Sequence, residues 1–265
     1  MERDLVTILG LGVAFAVFYA VAQSWGWWLT ASSDVLFALT SGTTAVLALL
    51  VVREDRKDVT ALTHLRERLR RVHTGFFLAI LLWFVGEFTW LIYEVILGVK
   101  VPYPSFADVF YLAGYVPTLV SIIAFMAIFR KLVTVKKKIL SALVGLLIIG
   151  TTGILLLNPL STSSSPAFVK AFDVAYPLLD AVLMALVMMR LIAFTGTKLG
   201  KPWVWIFGGL LSYSFADIMF SWGTLTKWYY SGHPIELLWL YGYLALALGF
   251  NRQRKQFVTT TLRKA

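Results

Sequence analysis

Apolar residues fill this chain in long blocks, with polar residues gathered at the joints. Eight blocks, at about 5–28, 34–52, 75–98, 108–129, 138–157, 171–190, 203–223 and 235–250, approach the length needed to cross a bilayer; a helical span takes about 20 residues at 1.5 Å rise each. The pattern predicts an all-α polytopic membrane protein, a bundle of eight transmembrane helices within a single transmembrane domain over 1–250. The first block lacks a basic leader and a small-residue cleavage site and is expected to be a retained span. Residues 53–74 are expected to form a loop with an amphipathic helix on the membrane surface, because Val59, Leu62, Leu65, Leu69 and Val72 recur at helical spacing between charges. His64 and His73 fall there among basic residues, where a solvated helix explains them better than metal ligation. Residues 251–265 read as a basic tail.

The acids repeat. Asp108 is followed by Tyr111 and Tyr115, Asp173 by Tyr176 and Asp180, and Glu236 by Trp239 and Tyr243; Asp34, followed by Phe37 and Ser41, is a weaker copy. Each set places an acid, an aromatic at +3 and a polar-capable residue at +7 on one helix face. The recurrence predicts four helical-hairpin repeats. Odd-numbered segments add deeper stripes: Trp83, Glu87, Trp90 and Glu94 on the third, and Tyr213, Ser214, Asp217 and Ser221 on the seventh.

Two explanations compete for these acids. Ser105 and Asp108 have capping-box spacing, and His233-Pro234-Ile235-Glu236 resembles a helix start, so Asp34, Asp108, Asp173 and Glu236 are candidate caps. Glu87, Asp180 and Asp217 lie too deep for capping. No Lys or Arg falls in the interior of a segment to pair with them. A lone charge at mid-bilayer costs at least about 2.5–3.5 kcal/mol. These acids are therefore protonated and hydrogen-bonded to Trp, Tyr, Ser or one another, or they serve a cation, a ligand or a proton path. The candidate ligand-binding set is Glu87, Trp90, Glu94, Tyr103, Asp108, Tyr111, Asp173, Tyr176, Asp180, Asp217, His233, Glu236 and Trp239.

Composition supports the membrane reading and narrows the chemistry. Of 265 residues, 59% are hydrophobic and only 14% charged, far from soluble-domain usage. The net charge of +10 would suit nucleic acid were it clustered on a soluble face. With both termini placed in the cytoplasm, however, all but Lys100, Lys170 and Lys227 of the 24 Lys and Arg lie inside. The positive-inside rule favours that orientation in the cell membrane, and the bilayer, not nucleic acid, is the expected partner. With no cysteine there is no disulfide, thiolate site or thiol nucleophile. No catalytic motif accompanies the acids. No haem is expected, because no two His face each other inside spans, while a divalent cation remains a candidate.

The run WFVGEFTWLIYE, the turn VPYPSFADVFYLAGYVP, and the later DVAYPLLDAVLMAL and SFADIMFSW with IELLWLYGYLALAL resemble the multi-pass input region found N-terminal to many bacterial diguanylate cyclases and related GGDEF/EAL proteins. The similarity covers about residues 75–250, and the Pro-Tyr-Pro-Ser-x-x-Asp turn is its most specific part. It implies a membrane sensory or ligand-binding module. No GGDEF, EAL or kinase sequence follows here. The expected output is then a separate cytoplasmic signalling protein docked at the inner loops, unless this copy serves another task; a homodimer is a candidate assembly. The expected function is a sensor or ligand-binding protein with an acidic, aromatic-lined pocket in the outer half of the bundle. The alternatives are a proton- or cation-coupled transporter and a metal-dependent intramembrane enzyme.

Overall fold

The computed structural model describes residues 2–57, 63–130, 133–194 and 201–262. They form eight long helices: α1 (Glu2–Ala22), α2 (Trp27–Lys57), α3 (Thr63–Leu91), α4 (Phe106–Phe129), α5 (Val135–Thr162), α6 (Ala167–Phe194), α7 (Lys201–Leu225) and α8 (Leu237–Leu262). A π-helical turn, Ile92–Ile96, extends α3, and a 3-10 turn, Pro234–Glu236, precedes α8. Among the described residues there is no strand.

Seven of the eight helices, α1 to α7, are long and apolar enough to cross a membrane. The expected eighth span falls short. In α8 the apolar stretch ends at Phe250, and Arg252, Arg254 and Lys255 follow in the same helix. Its burial explains how a short apolar segment suffices: Leu240, Tyr243, Leu246, Leu248 and Phe250 are among the most enclosed residues of the chain. Neighbouring helices, not lipid, cover it.

Six helices make a ring in the order α4, α3, α2, α8, α7, α6, which closes through a light contact between α6 and α4. The hairpins α3/α4, α5/α6 and α7/α8 are packed. The expected first hairpin is not, because α1 packs on α8 and scarcely touches α2. Helices α1 and α5 sit outside the ring and turn apolar side chains outward, among them Val6, Leu9, Val13 and Val17, and Leu143, Leu146, Leu147 and Ile154. Inside the ring the core is aromatic. Trp83 stacks on Tyr213 at 4.7 Å, and Phe125, Trp203, Phe207, Phe76 and Phe250 fill the half toward the chain termini.

Several local expectations change. The loop helix over 53–74 is not a separate element: its described part, from Thr63, is the first turns of α3, and α2 runs on to Lys57. Val59 and Leu62 lie outside the described residues, whereas Val72 is fully buried and Leu69 packs on the core. His73, expected on a solvated face, is 1% exposed. Its Nδ1 lies 3.2 Å from Asp55 Oδ2, and its ring stacks on Trp203. Arg66 Nε donates to Asp55 Oδ1 at 3.3 Å, and its guanidinium also reaches the Asp55 carbonyl. Residues 251–262 continue α8, and Lys255 pairs with Asp4 at 2.7 Å. Position 264 and its neighbours in the tail lie outside the described residues, as does His64 as a side chain.

Candidate functional site

At the end of the ring opposite the chain termini, all six ring helices face a cavity of about 110 Å³. Six acids line it: Asp34 from α2, Glu87 from α3, Asp108 from α4, Asp173 from α6, Asp217 from α7 and Glu236 from the 3-10 turn. Eleven aromatic residues and Ser221, Thr224 and Ser231 complete the wall, and none of the lining residues is basic. Several carboxyls confined together without a Lys or Arg need neutralising by protons or by a bound cation.

Their hydrogen bonds come mostly from phenols and indoles. Tyr111 and Tyr243 donate to Glu87 at 3.0 and 2.9 Å. Trp239 Nε1 donates to Asp217 at 2.7 Å, and Tyr176 to Asp108 at 2.7 Å. Tyr115 is shared, at 2.7 Å from Asp180 and 3.2 Å from Asp217. Glu236 collects Tyr19 (2.8 Å), Ser33 (2.5 Å), Tyr229 (2.8 Å) and the Gly232 N–H (2.7 Å). In the connecting segments, burial and then the neighbouring carboxyl push two phenols up, Tyr103 beside Asp173 and Tyr229 beside Glu236. Both remain protonated donors. Among protein atoms, Asp34 Oδ2, Glu94 Oε2 and Asp180 Oδ2 have no partner.

Close helix contacts set these side chains. A Cβ on Gly86 would sit 2.7 Å from the Tyr111 ring, and one on Gly114 would collide with the Trp83 indole. Each glycine thus lets an aromatic lie flat on the facing helix, which carries Tyr111 to Glu87 and Trp83 onto Tyr213.

Of the thirteen expected residues, Glu87, Trp90, Tyr103, Asp108, Tyr111, Asp173, Tyr176, Asp217, Glu236 and Trp239 surround the cavity. Glu94, Asp180 and His233 do not. The π turn adds a residue to the last turn of α3 and rotates Glu94 off the stripe of Trp83, Glu87 and Trp90; it accepts from Ser231 at 3.1 Å instead. Asp180 lies outside the lining, fully buried, and is bonded to it through Tyr115. His233 caps the 3-10 turn, accepting from the Ile235 N–H at 3.1 Å, with its pKa held below the ordinary histidine value by burial.

The helix-start explanation holds for two acids of four. Asp108 completes a capping box with Ser105 and also faces the cavity. Asp34 and Asp173 are not in first turns, because α2 starts at Trp27 and α6 at Ala167. Glu236 stands in the first turn behind the His233 cap, accepts from the Gly232 N–H there, and also gathers three side-chain donors. The expected set left out ten lining residues: Asp34, Phe37, Trp83, Tyr115, Tyr213, Phe220, Ser221, Thr224, Tyr229 and Ser231. The repeat pattern marked Asp34 and Tyr115; nothing local marked Tyr229 or Ser231, which reach the cavity from a loop.

Among the described residues, no group of three or more His, Cys, Asp and Glu is arranged to hold a metal ion. No protein-family model, curated protein sequence or solved structure matches the chain.

Proposed function

We propose that the protein is an integral membrane sensor or binding protein whose cavity takes a small organic cation. The observation that carries this reading is the lining itself: six carboxyl side chains interleaved with aromatic faces, with no basic residue among them. Carboxylates supply countercharge and aromatic faces attract alkylammonium groups. The volume, about 110 Å³, falls below the roughly 300–1,000 Å³ of drug-sized sites and favours a ligand of a few heavy atoms.

Readout belongs at the other end of the bundle. The wall residues Trp83 and Tyr213 belong to the same core as Phe207, Phe125 and Trp203, and Trp203 stacks on His73. A ligand that favours one packing of that core shifts its population at the basic loops, where a cytoplasmic signalling protein would dock. Transport is less well supported, since this core interrupts any polar route inward. A metal enzyme lacks a ligand cluster among the described residues.

Trp83, Trp90 and Trp239 line the cavity and provide an intrinsic probe. Titrating the purified protein with tetramethylammonium chloride against sodium chloride is expected to give a saturable change in tryptophan fluorescence. Binding should weaken at least tenfold in Glu87→Gln and in Asp217→Asn. No saturable difference between the two salts, or affinity unchanged in both variants, would overturn the assignment.

A further inference from the structure

A second cavity, of about 450 Å³, opens between α4, α5 and α6 at the end that carries the basic loops. Arg130 from the end of α4, Lys138 and Ser141 from the first turns of α5, and Arg190 from α6 line it; Ile123 and Leu186 are among its apolar walls. Arg190 is only 5% exposed, yet its Nε and Nη1 have no hydrogen-bond partner. Ser141 is buried, and its Oγ is likewise unpartnered. Among the described residues no carboxylate pairs with Arg190. The sequence had shown no basic side chain inside a segment, because Arg190 looks terminal there; α6 instead continues to Phe194.

An enclosed guanidinium with idle donors is costly unless something anionic meets it. Here two more cations and the positive end of a 28-residue helix face the same space. Planar guanidinium donors match phosphate oxygens. The loose α4–α6 seam leaves the cavity open sideways, where Ile123 is exposed on the lipid-facing surface. We infer that this cleft binds a phosphate-class anion through Arg190 and Ser141, with an anionic phospholipid headgroup as the favoured source, since the apolar walls suit an acyl chain. Basic pockets between spanning helices are suited to such headgroups.

The test uses the whole chain purified in neutral detergent, melted with phosphatidylglycerol, phosphatidylcholine or inorganic phosphate, and weighed by native mass spectrometry for retained lipid. Phosphatidylglycerol is expected to raise Tm and remain bound, while phosphatidylcholine does neither. Arg190→Gln should lose the Tm shift and retain at least tenfold less lipid, yet melt no lower than the parent without lipid, because it deletes an uncompensated charge. Lys136→Gln removes an equal charge from an exposed position outside the lining and should behave as the parent. A Tm shift with inorganic phosphate alone, lost in Arg190→Gln, would keep the anion site and assign it to free phosphate. Equal retention by Arg190→Gln and the parent, or equal loss in Lys136→Gln, would overturn the inference. Should Arg190→Gln fail to fold, Arg190→Lys and Ser141→Ala serve instead, and unchanged retention in both would overturn it.

Discussion

Tyr115 shows how a single hydroxyl organises the acidic end of the bundle. It donates to Asp180 at 2.7 Å and is, with Trp239, one of two donors to Asp217. Removing it strands buried carboxyl oxygens, and an unsatisfied buried polar group costs about 1–3 kcal/mol. Tyr115→Phe is therefore expected to lower unfolding stability by roughly that amount. The same change should also weaken tetramethylammonium binding, since Asp217 loses a positioning donor. Denaturation of the purified variant checks the first outcome and the fluorescence titration the second. His233 teaches the opposite lesson: beside acids and aromatics in sequence, its ring nitrogen is committed to the Ile235 N–H.

At the scale of elements, the join between α2 and α3 depends on Asp55. Its carboxylate holds His73 and Arg66 from α3, and His73 in turn stacks on Trp203 of α7. Taking one partner from a buried ion pair costs about 3–5 kcal/mol, and the Asp55 carboxylate is itself enclosed. Asp55→Asn is expected to destabilise the bundle by about 3 kcal/mol, seen as a lower Tm. Under the proposed function, tetramethylammonium titration of this variant should match the parent, which separates a structural joint from a binding residue. Helix α3 also shows an irregular turn at work: Glu94, on the π turn Ile92–Ile96, stands behind the cavity wall and accepts from the lining residue Ser231.

At the scale of the whole molecule, charge and polarity are separated along the bundle axis. The acids and their phenols occupy one end, and nearly all Lys and Arg the other. From the positive-inside rule we propose that the basic end faces the cytoplasm. Because the chain has no cysteine, single labels report this cleanly. Ser164→Cys, exposed between α5 and α6, is expected to react with a membrane-impermeant maleimide in intact cells. Lys136→Cys, at the start of α5, should react only after permeabilisation. The reverse labelling pattern would place the acidic cavity toward the cytoplasm.

Sequence alone determined the helices and the separation of charge, because the length of an apolar run and the identity of its flanking residues are local properties. It also marked Glu87, Asp108, Asp173, Asp217 and Glu236, since an acid amid apolar residues stands out at any register. Tertiary structure decided which of these converge. It set Asp180 outside the lining, put Glu94 behind the cavity wall, brought Tyr229 and Ser231 in from a loop, and drew α1 from α2 onto α8. It also enclosed His73 between Asp55 and Trp203, and Arg190 beside Lys138 and Ser141, neighbours that come from other helices. Burial depends on what the facing helices present, and no window along a single helix contains that information.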